Sequence, residues 1–152
     1  MTGGAVGMPD DDVLGGALAA EDGAWAREHI ESDVVGWFTS VAPDGRPQSA
    51  VISFLRDGDT IFFYSAPDTP KLRNIAASPL VSFHLRSDDY ADHALIVDGT
   101  AEIDPSIPPS DVHPGYRAKY REPLAHWGMD EAKTARDFPV PIRIRPRRVR
   151  IW

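Results

Sequence analysis

The sequence has no cysteine among its 152 residues, which excludes disulfides, thiolate metal ligands and cysteine nucleophiles. It also lacks a long apolar run. Its N-terminal apolar stretch, Val13 to Ala20, is short and broken by Gly15 and Gly16. Asp10, Asp11 and Asp12 precede it, where a signal peptide carries Lys or Arg. Nothing approaches the roughly 20 apolar residues that span a bilayer. Positive charge is scarce as well: 16 Lys and Arg stand against 23 Asp and Glu, for a formal net charge of −7. That balance argues against general affinity for nucleic acid or an anionic membrane surface. The expectation is a soluble, cytoplasmic protein with neither nucleic acid nor membrane as partner.

What is present suits one core, since the length lies within the range of one domain and 42% of the residues are hydrophobic. Residues 1–12, rich in Gly and Asp, are expected to be disordered, leaving 13–152 as a single domain. Ala17 to Ile30 favours a helix, with Leu18, Trp25, Ala26 and Ile30 as packing positions. The period then changes. Val34 to Val41 reads as a strand closed by the turn Pro43-Asp44-Gly45-Arg46-Pro47. Gln48 to Leu55 follows, with Ala50, Ile52 and Phe54 on one face and Ser49, Val51 and Ser53 on the other. Asp57-Gly58 leads into a third strand, Thr60 to Ser65, and Asp-Gly between β-rich runs is a strong hairpin signal.

Leu80 to Arg86 alternates again, and Ala94 to Ile103 reads as a strand interrupted near Asp98-Gly99. Asp104 to Pro114 is a proline-rich loop. Tyr116 to Trp127 and Asp130 to Phe138 read as helices, the first interrupted at Pro123. Val140 to Ile144 and Val149 to Trp152 read as two strands around Pro146. Six or seven short, mostly antiparallel strands predict a mainly β, α+β barrel with a few peripheral helices.

The chemistry concentrates between Ile61 and Ile75. A strand ends at Ser65, and a short helix opens at Thr69-Pro70 with Leu72, Ile75 and Ala76 on one face. Thr69 suits the N-cap, and Pro70 suits the first helical position, where its missing N–H costs nothing. A helix start offers free N–H groups and the positive end of its dipole to an anion. Lys71 in that first turn is electrostatically misplaced unless an anion lies nearby, and Ser65 and Thr69 supply hydroxyls. Two readings stand: an anion site, or an ordinary capped helix with a solvated lysine.

Taken in order, these segments resemble the pyridoxamine 5′-phosphate oxidase-like split-barrel superfamily of flavin- and deazaflavin-binding proteins. Gln48-Ser49-Ala50-Val51-Ile52-Ser53-Phe54 resembles its cofactor-contacting strand, Phe63-Tyr64-Ser65 the end of the next, and Thr69-Pro70-Lys71 its helix start. Ser78-Pro79-Leu80-Val81-Ser82-Phe83 and the C-terminal Ile144 to Trp152 complete the likeness over about residues 30–152. The resemblance implies a split barrel that pairs as a homodimer. It also implies a cofactor site formed by Ser49, Ala50, Val51, Ile52, Ser53, Tyr64, Ser65, Thr69, Lys71, Arg73 and Asn74.

Two phosphate-holding arginines of the flavin mononucleotide (FMN) oxidases correspond here to Ser49 and Pro70, so only Lys71 carries over, with Arg73 as a substitute. No counterpart of the pyridoxal phosphate site is found. Tyr64-Ser65 followed by Lys71, Arg73, Asn74 and Ile75 is more similar to the actinobacterial deazaflavin branch. That branch implies an oxidoreductase using coenzyme F420 and an unknown small conjugated molecule. The alternatives are an FMN oxidoreductase and a non-catalytic cofactor-binding protein.

Other residues have two readings each. Tyr116, Lys119 and Tyr120 either border the substrate pocket or face solvent on an amphipathic helix. His84 is a structural strand histidine or a pocket residue. Asp88, Asp89, Asp92 and His93 read as loop polarity rather than a metal site. Trp127 and Trp152 read as packing or dimer-interface residues. The series Arg143, Arg145, Arg147, Arg148 and Arg150 alternates with apolar residues, as on a half-exposed strand.

Overall fold

The computed structural model describes residues 13–152; the disorder expected for residues 1–12 lies outside that range. The chain runs through helix α1 (Val13–Ala19), a single 3₁₀ turn (Glu21–Gly23), α2 (Ala24–Ser32), strands β1 (Val35–Val41), β2 (Pro47–Asp57) and β3 (Thr60–Ser65), and α3 (Pro70–Ala77). It continues through β4 (Leu80–His84), β5 (Leu95–Ile103), α4 (Pro114–Trp127), α5 (Glu131–Asp137) and β6 (Val140–Ile151). The six strands close into a barrel in the order β1-β2-β3-β6-β5-β4, with every pairing antiparallel. Closure removes the open sheet edges that invite aggregation.

Turn chemistry sets the first two hairpins. Gly45 takes φ +91 in the β1–β2 turn, and Gly58 takes φ +61 in the two residues between Asp57 and Thr60. Both values are open to glycine at no steric cost. Alternation then fills the interior: Phe38, Phe54, Phe63 and Phe83 are fully buried, with Phe38 against Phe63 and Phe54 against Phe83 at 4.9 Å between ring centroids. Leu14, Leu18, Ala26 and Ile30 join the same cluster from α1 and α2. Outside the barrel, Phe62 on β3 meets Ile107, Tyr116 and Tyr120 in a second cluster beneath α4. β3 is therefore buried on both faces, and this second cluster anchors one wall of the site.

Four expectations need correcting. The single helix over Ala17 to Ile30 is two helices starting earlier, at Val13, and broken by the 3₁₀ turn. At that bend a Cβ on residue 23 would stand 2.6 Å from the Ala17 carbonyl oxygen, an approach that glycine permits. Pro123 does not interrupt α4. One lost helical N–H is outweighed by the packing of Tyr116 and Tyr120, both buried, on the barrel.

The third correction concerns the C-terminus, where β6 is one 12-residue strand through Pro146, so the barrel has six strands. A register shift at Asp98/Gly99 sets Gly99 opposite Pro146, giving the proline a bulge in which it owes no ladder bond. The approach there is close, since a Cβ on Gly99 would stand 2.1 Å from the Arg145 carbonyl oxygen. Finally, on α3 the residues facing inward are Asn74 and Ile75, with Leu72 partly buried, while Ala76 is exposed.

Candidate functional site

β3 ends at Ser65, and the chain turns into α3 through Asp68, whose φ of +61 is one that aspartate tolerates better than most residues. Thr69 occupies the N-cap position, but its hydroxyl caps nothing. It lies 2.9 Å from Ser65 Oγ, which itself donates to the Ala66 carbonyl at 2.8 Å. In the first turn of α3 Pro70 has no N–H and Leu72 donates to the Thr69 carbonyl at 3.1 Å, so the Lys71 N–H is the one left without a cap among the described residues. Lys71 stands in that turn. Its ammonium has no hydrogen bond or ion pair among the described residues, and burial lowers its pKa. Burying a cation without a counter-charge is costly, so the arrangement suits an arriving anion.

Two cavities meet at Lys71. The smaller, about 270 Å³, runs from Val51, Ile52 and Ser53 of β2 past Tyr64 and Ser65 to Thr69 and Lys71. Its far wall is α4, with Tyr116, Tyr120, Leu124 and Trp127, and α5, with Thr134. Met129 and Phe138, which flank α5, complete that wall. The other cavity, about 400 Å³, is lined by Ser40, Gln48, Ser49, Ala50, Pro70, Lys71 and Asn74. Among the described residues no carboxylate or histidine lines either one, and Lys71 is the single charged residue in both.

Ten of the eleven residues expected at a cofactor site thus line these two cavities. Several are nonetheless engaged. The Asn74 amide donates to Ser40 Oγ at 3.0 Å and Gln48 Oε1 at 2.7 Å, tying α3 to the barrel. Ser49 shares a 2.7 Å hydroxyl bond with Thr39. Arg73 lines neither cavity; its guanidinium donates to the Asp68 carbonyl at 2.7 Å and holds the turn before α3.

α4 positions the aromatic wall. His113 caps it by accepting from the Tyr116 N–H at 3.2 Å, and Gly128 ends it with φ +66. The Tyr120 hydroxyl accepts from the Phe54 N–H at 2.7 Å and lies within donating reach of the carbonyls of Val34 (2.7 Å) and Phe54 (2.8 Å). Val34 and Phe54 would form the next rung after Val35↔Ser53 in the β1–β2 ladder, so this hydroxyl stands in where the ladder stops. Tyr116 stacks on Tyr120 at 4.5 Å and meets Tyr64 edge-on at 4.9 Å. Burial raises the pKa of all three phenols, with Asp111 adding to it for Tyr64.

Lys119 lies outside both cavities, 3.1 Å from the Phe54 carbonyl oxygen and over the Phe54 ring, its pKa lowered by burial to about 8. His84 stacks on Trp37 and is absent from both linings. His93 pairs with Asp88 at 2.7 Å. No group of three or more acidic or histidine residues among the described residues is placed to hold a metal. Trp152 donates from Nε1 to the Ala91 carbonyl at 2.9 Å. Arg143 is no solvated strand residue: it bonds Asp104 at 2.7 Å and Asp57 at 2.9 Å, clamping β6 to the loop after β5 and the end of β2.

Residues missed in the sequence are Ser40, Ala66, Ser110, Leu124, Met129, Thr134 and Phe138. Ser110 sits in a polar proline-rich loop, Ala66 in the loop after β3, Leu124 on α4, and Met129 and Phe138 beside α5, so no local pattern marks them. Gln48 and Pro70 fell within the matched motifs.

The sequence matches the pyridoxamine 5′-phosphate oxidase family over residues 24–152. The chain belongs to that family. No curated protein matches it. Among solved structures, an F420 reductase is 26% identical at a TM-score of 0.60, covering 82% of this chain and 94% of that one. A conserved hypothetical protein of Mycobacterium tuberculosis is 22% identical at a TM-score of 0.61, covering 88% and 84%. A heme binding protein from Mycobacterium smegmatis, also 22% identical, has a TM-score of 0.60 over 88% of this chain and 54% of that one. The latter two likenesses concern the fold alone. No helix among the described residues is long and apolar enough to cross a membrane.

Proposed function

We propose that this protein is an oxidoreductase that binds coenzyme F420 and passes hydride between it and a small conjugated molecule. The observation that carries the reading is Lys71, a cation with no partner among the described residues, in the uncapped first turn of α3 where two cavities meet that no described carboxylate lines. An anionic cofactor tail fits that junction: the Lys71 ammonium supplies charge, and the Lys71 N–H, left unbonded at the helix start, supplies a donor. A bound deazaflavin supplies the two-electron chemistry, while the protein supplies binding, orientation and a water-poor wall.

The 26% identity to an F420 reductase supports this reading. So does the absence of a second cation, because Ser49 and Pro70 occupy the positions of the family's FMN phosphate arginines and Arg73 is tied to Asp68. FMN binding is the second reading, favoured by the family match. We further infer a homodimer. Val35 and Trp37 of β1 and Val51 of β2 are exposed on adjoining strands, Trp37 opposite Val51. Val51 carries this apolar strip to the rim of the smaller cavity. Sedimentation equilibrium is expected to show a dimer that Trp37→Glu dissociates; a wild-type monomer overturns the pairing.

The deciding experiment titrates the purified protein with F420 and with FMN, then repeats both on Lys71→Ala. F420 is expected to bind more tightly and to lose roughly 10- to 150-fold in affinity on substitution, the worth of one charge-assisted contact. Tighter FMN binding would establish the second reading. Affinity indifferent to Lys71 would remove the cofactor from this site.

A further inference from the structure

Tyr116 enters the wall of the smaller cavity from the first turn of α4, and a histidine fixes the start of that turn. His113, at the N-cap, accepts the Tyr116 N–H on Nδ1 at 3.2 Å. A backbone N–H can only donate, so this Nδ1 carries no proton and the ring is neutral, with its hydrogen on Nε2. Three other histidines face acceptors instead. His29 Nδ1 meets Asp33 at 2.8 Å, His93 Nδ1 meets Asp88 at 2.7 Å, and His84 Nδ1 lies 3.0 Å from the Leu85 carbonyl oxygen. His126 has no hydrogen bond among the described residues. A proton on any of those four rings keeps or strengthens its contacts. A proton on His113 removes the lone pair that makes the cap, and it places a cation at the positive end of the α4 dipole.

We infer that His113 is an acid-released latch on the cavity wall: neutral, it caps α4; protonated, it uncaps the first turn and loosens Tyr116 where that residue lines the cavity. The inference goes beyond the proposed function and holds whichever cofactor binds. Nothing else in the turn replaces the cap. Pro114 has no N–H and Gly115 has no side chain, and the loop before α4 contributes backbone bonds only, the His113 N–H donating to the Pro109 carbonyl at 3.0 Å. The ring itself is seated on Phe62 of β3, at 5.1 Å between centroids, and beside Leu55 of β2. The titratable and charged groups around it are Asp111 on its own loop, the Tyr116 phenol on α4 and the Tyr64 phenol on β3. Across Phe62 stands the Arg143 guanidinium of β6, paired with Asp57 and Asp104. None of these bonds the imidazole. Burial keeps both phenols protonated, and hydrogen bonds from Ser106 and Arg143 keep Asp104 ionised. Histidine is the side chain whose charge ordinarily changes between pH 5 and 8.

The test follows the Tyr116 backbone amide by NMR in the labelled full-length protein, without cofactor, between pH 8 and pH 5. Its hydrogen-exchange protection, corrected for the intrinsic pH dependence of exchange, is expected to fall about five- to tenfold at the acid end, the worth of one cap. The amide shift is expected to move with the titration of the His113 ring. The Tyr64 and Tyr116 rings meet edge-on at 4.9 Å, and the nuclear Overhauser effect between them is expected to weaken over the same range. Asparagine caps a helix without titrating, so His113→Asn should keep its Tyr116 protection constant with pH. His113→Ala should show the low value at both ends. A wild-type Tyr116 amide equally protected at pH 8 and pH 5 would overturn the latch, and so would an equal fall in His113→Asn. With no cofactor added, either outcome is reached independently of whether the protein binds F420.

Discussion

Tyr120→Phe removes one oxygen atom from the point where the barrel and the site wall are joined. In the wild type that hydroxyl satisfies the Phe54 N–H and reaches the carbonyls of Val34 and Phe54, at 2.7, 2.7 and 2.8 Å. The substitution leaves the ring free to keep its stack on Tyr116, so the packing loss is small. The Phe54 N–H, buried where β1 has ended, is left without an acceptor. An unsatisfied buried donor costs about 1–3 kcal/mol, and for a chain of this size each kcal/mol lowers Tm by roughly 2–4 °C. Urea unfolding of wild type and variant is expected to show that loss with an unchanged m-value. Hydrogen exchange is expected to show lost protection at the Phe54 amide. A stability change below about 0.5 kcal/mol, with Phe54 still protected, would mean that the hydroxyl does not complete the ladder.

Gly99→Ala drives a methyl into the Arg145 carbonyl, 2.1 Å from where the Cβ would stand. Backbone cannot yield as a flexible side chain does, so a loss of about 3 kcal/mol or more is expected in denaturant unfolding; a neutral variant would refute the close approach. Acid stability is expected to depend on Asp104, whose carboxyl is held down to about 2 by hydrogen bonds from Ser106 and then Arg143. Its folded pKa lies below the unfolded value near 3.9. The stabilisation is therefore present above about pH 4 and lost as pH falls from about 4 towards 2. The stability gap between wild type and Asp104→Asn should accordingly narrow between pH 6 and pH 2.5, and a gap independent of pH would refute the linkage.

Much of the barrel can be read from local pattern. β1, β2 and β3 follow from alternation punctuated by Gly45 and Gly58, because a period of two and a glycine at positive φ each have one structural meaning. α3 follows from Thr69 and Pro70. Lys71 stands out by a local electrostatic conflict, a cation at the positive end of a dipole. Where the pattern misleads, a distant contact is responsible. Pro146 signals a strand break, and the break is absorbed because Gly99, 47 positions earlier in the chain and opposite it in the barrel, makes room for a bulge. Pro123 signals a helix break, and tyrosines anchored to β2 and β3 hold the helix through it. Arg143 alternates like a surface residue, yet two aspartates from separate segments enclose it.

The site divides along the same line. Composition and order are enough for the family-like run of strands, the cation at the start of α3 and the lack of thiol chemistry, because none of these needs a distant contact. The partner of each hydroxyl is another matter. Asn74 turns out to be a structural tie and Arg73 a turn support, whereas Ser110, in a loop with no signal of its own, faces the cavity. Whether a polar atom is matched depends on which segments barrel closure brings within 3 Å, and no period or propensity carries that information.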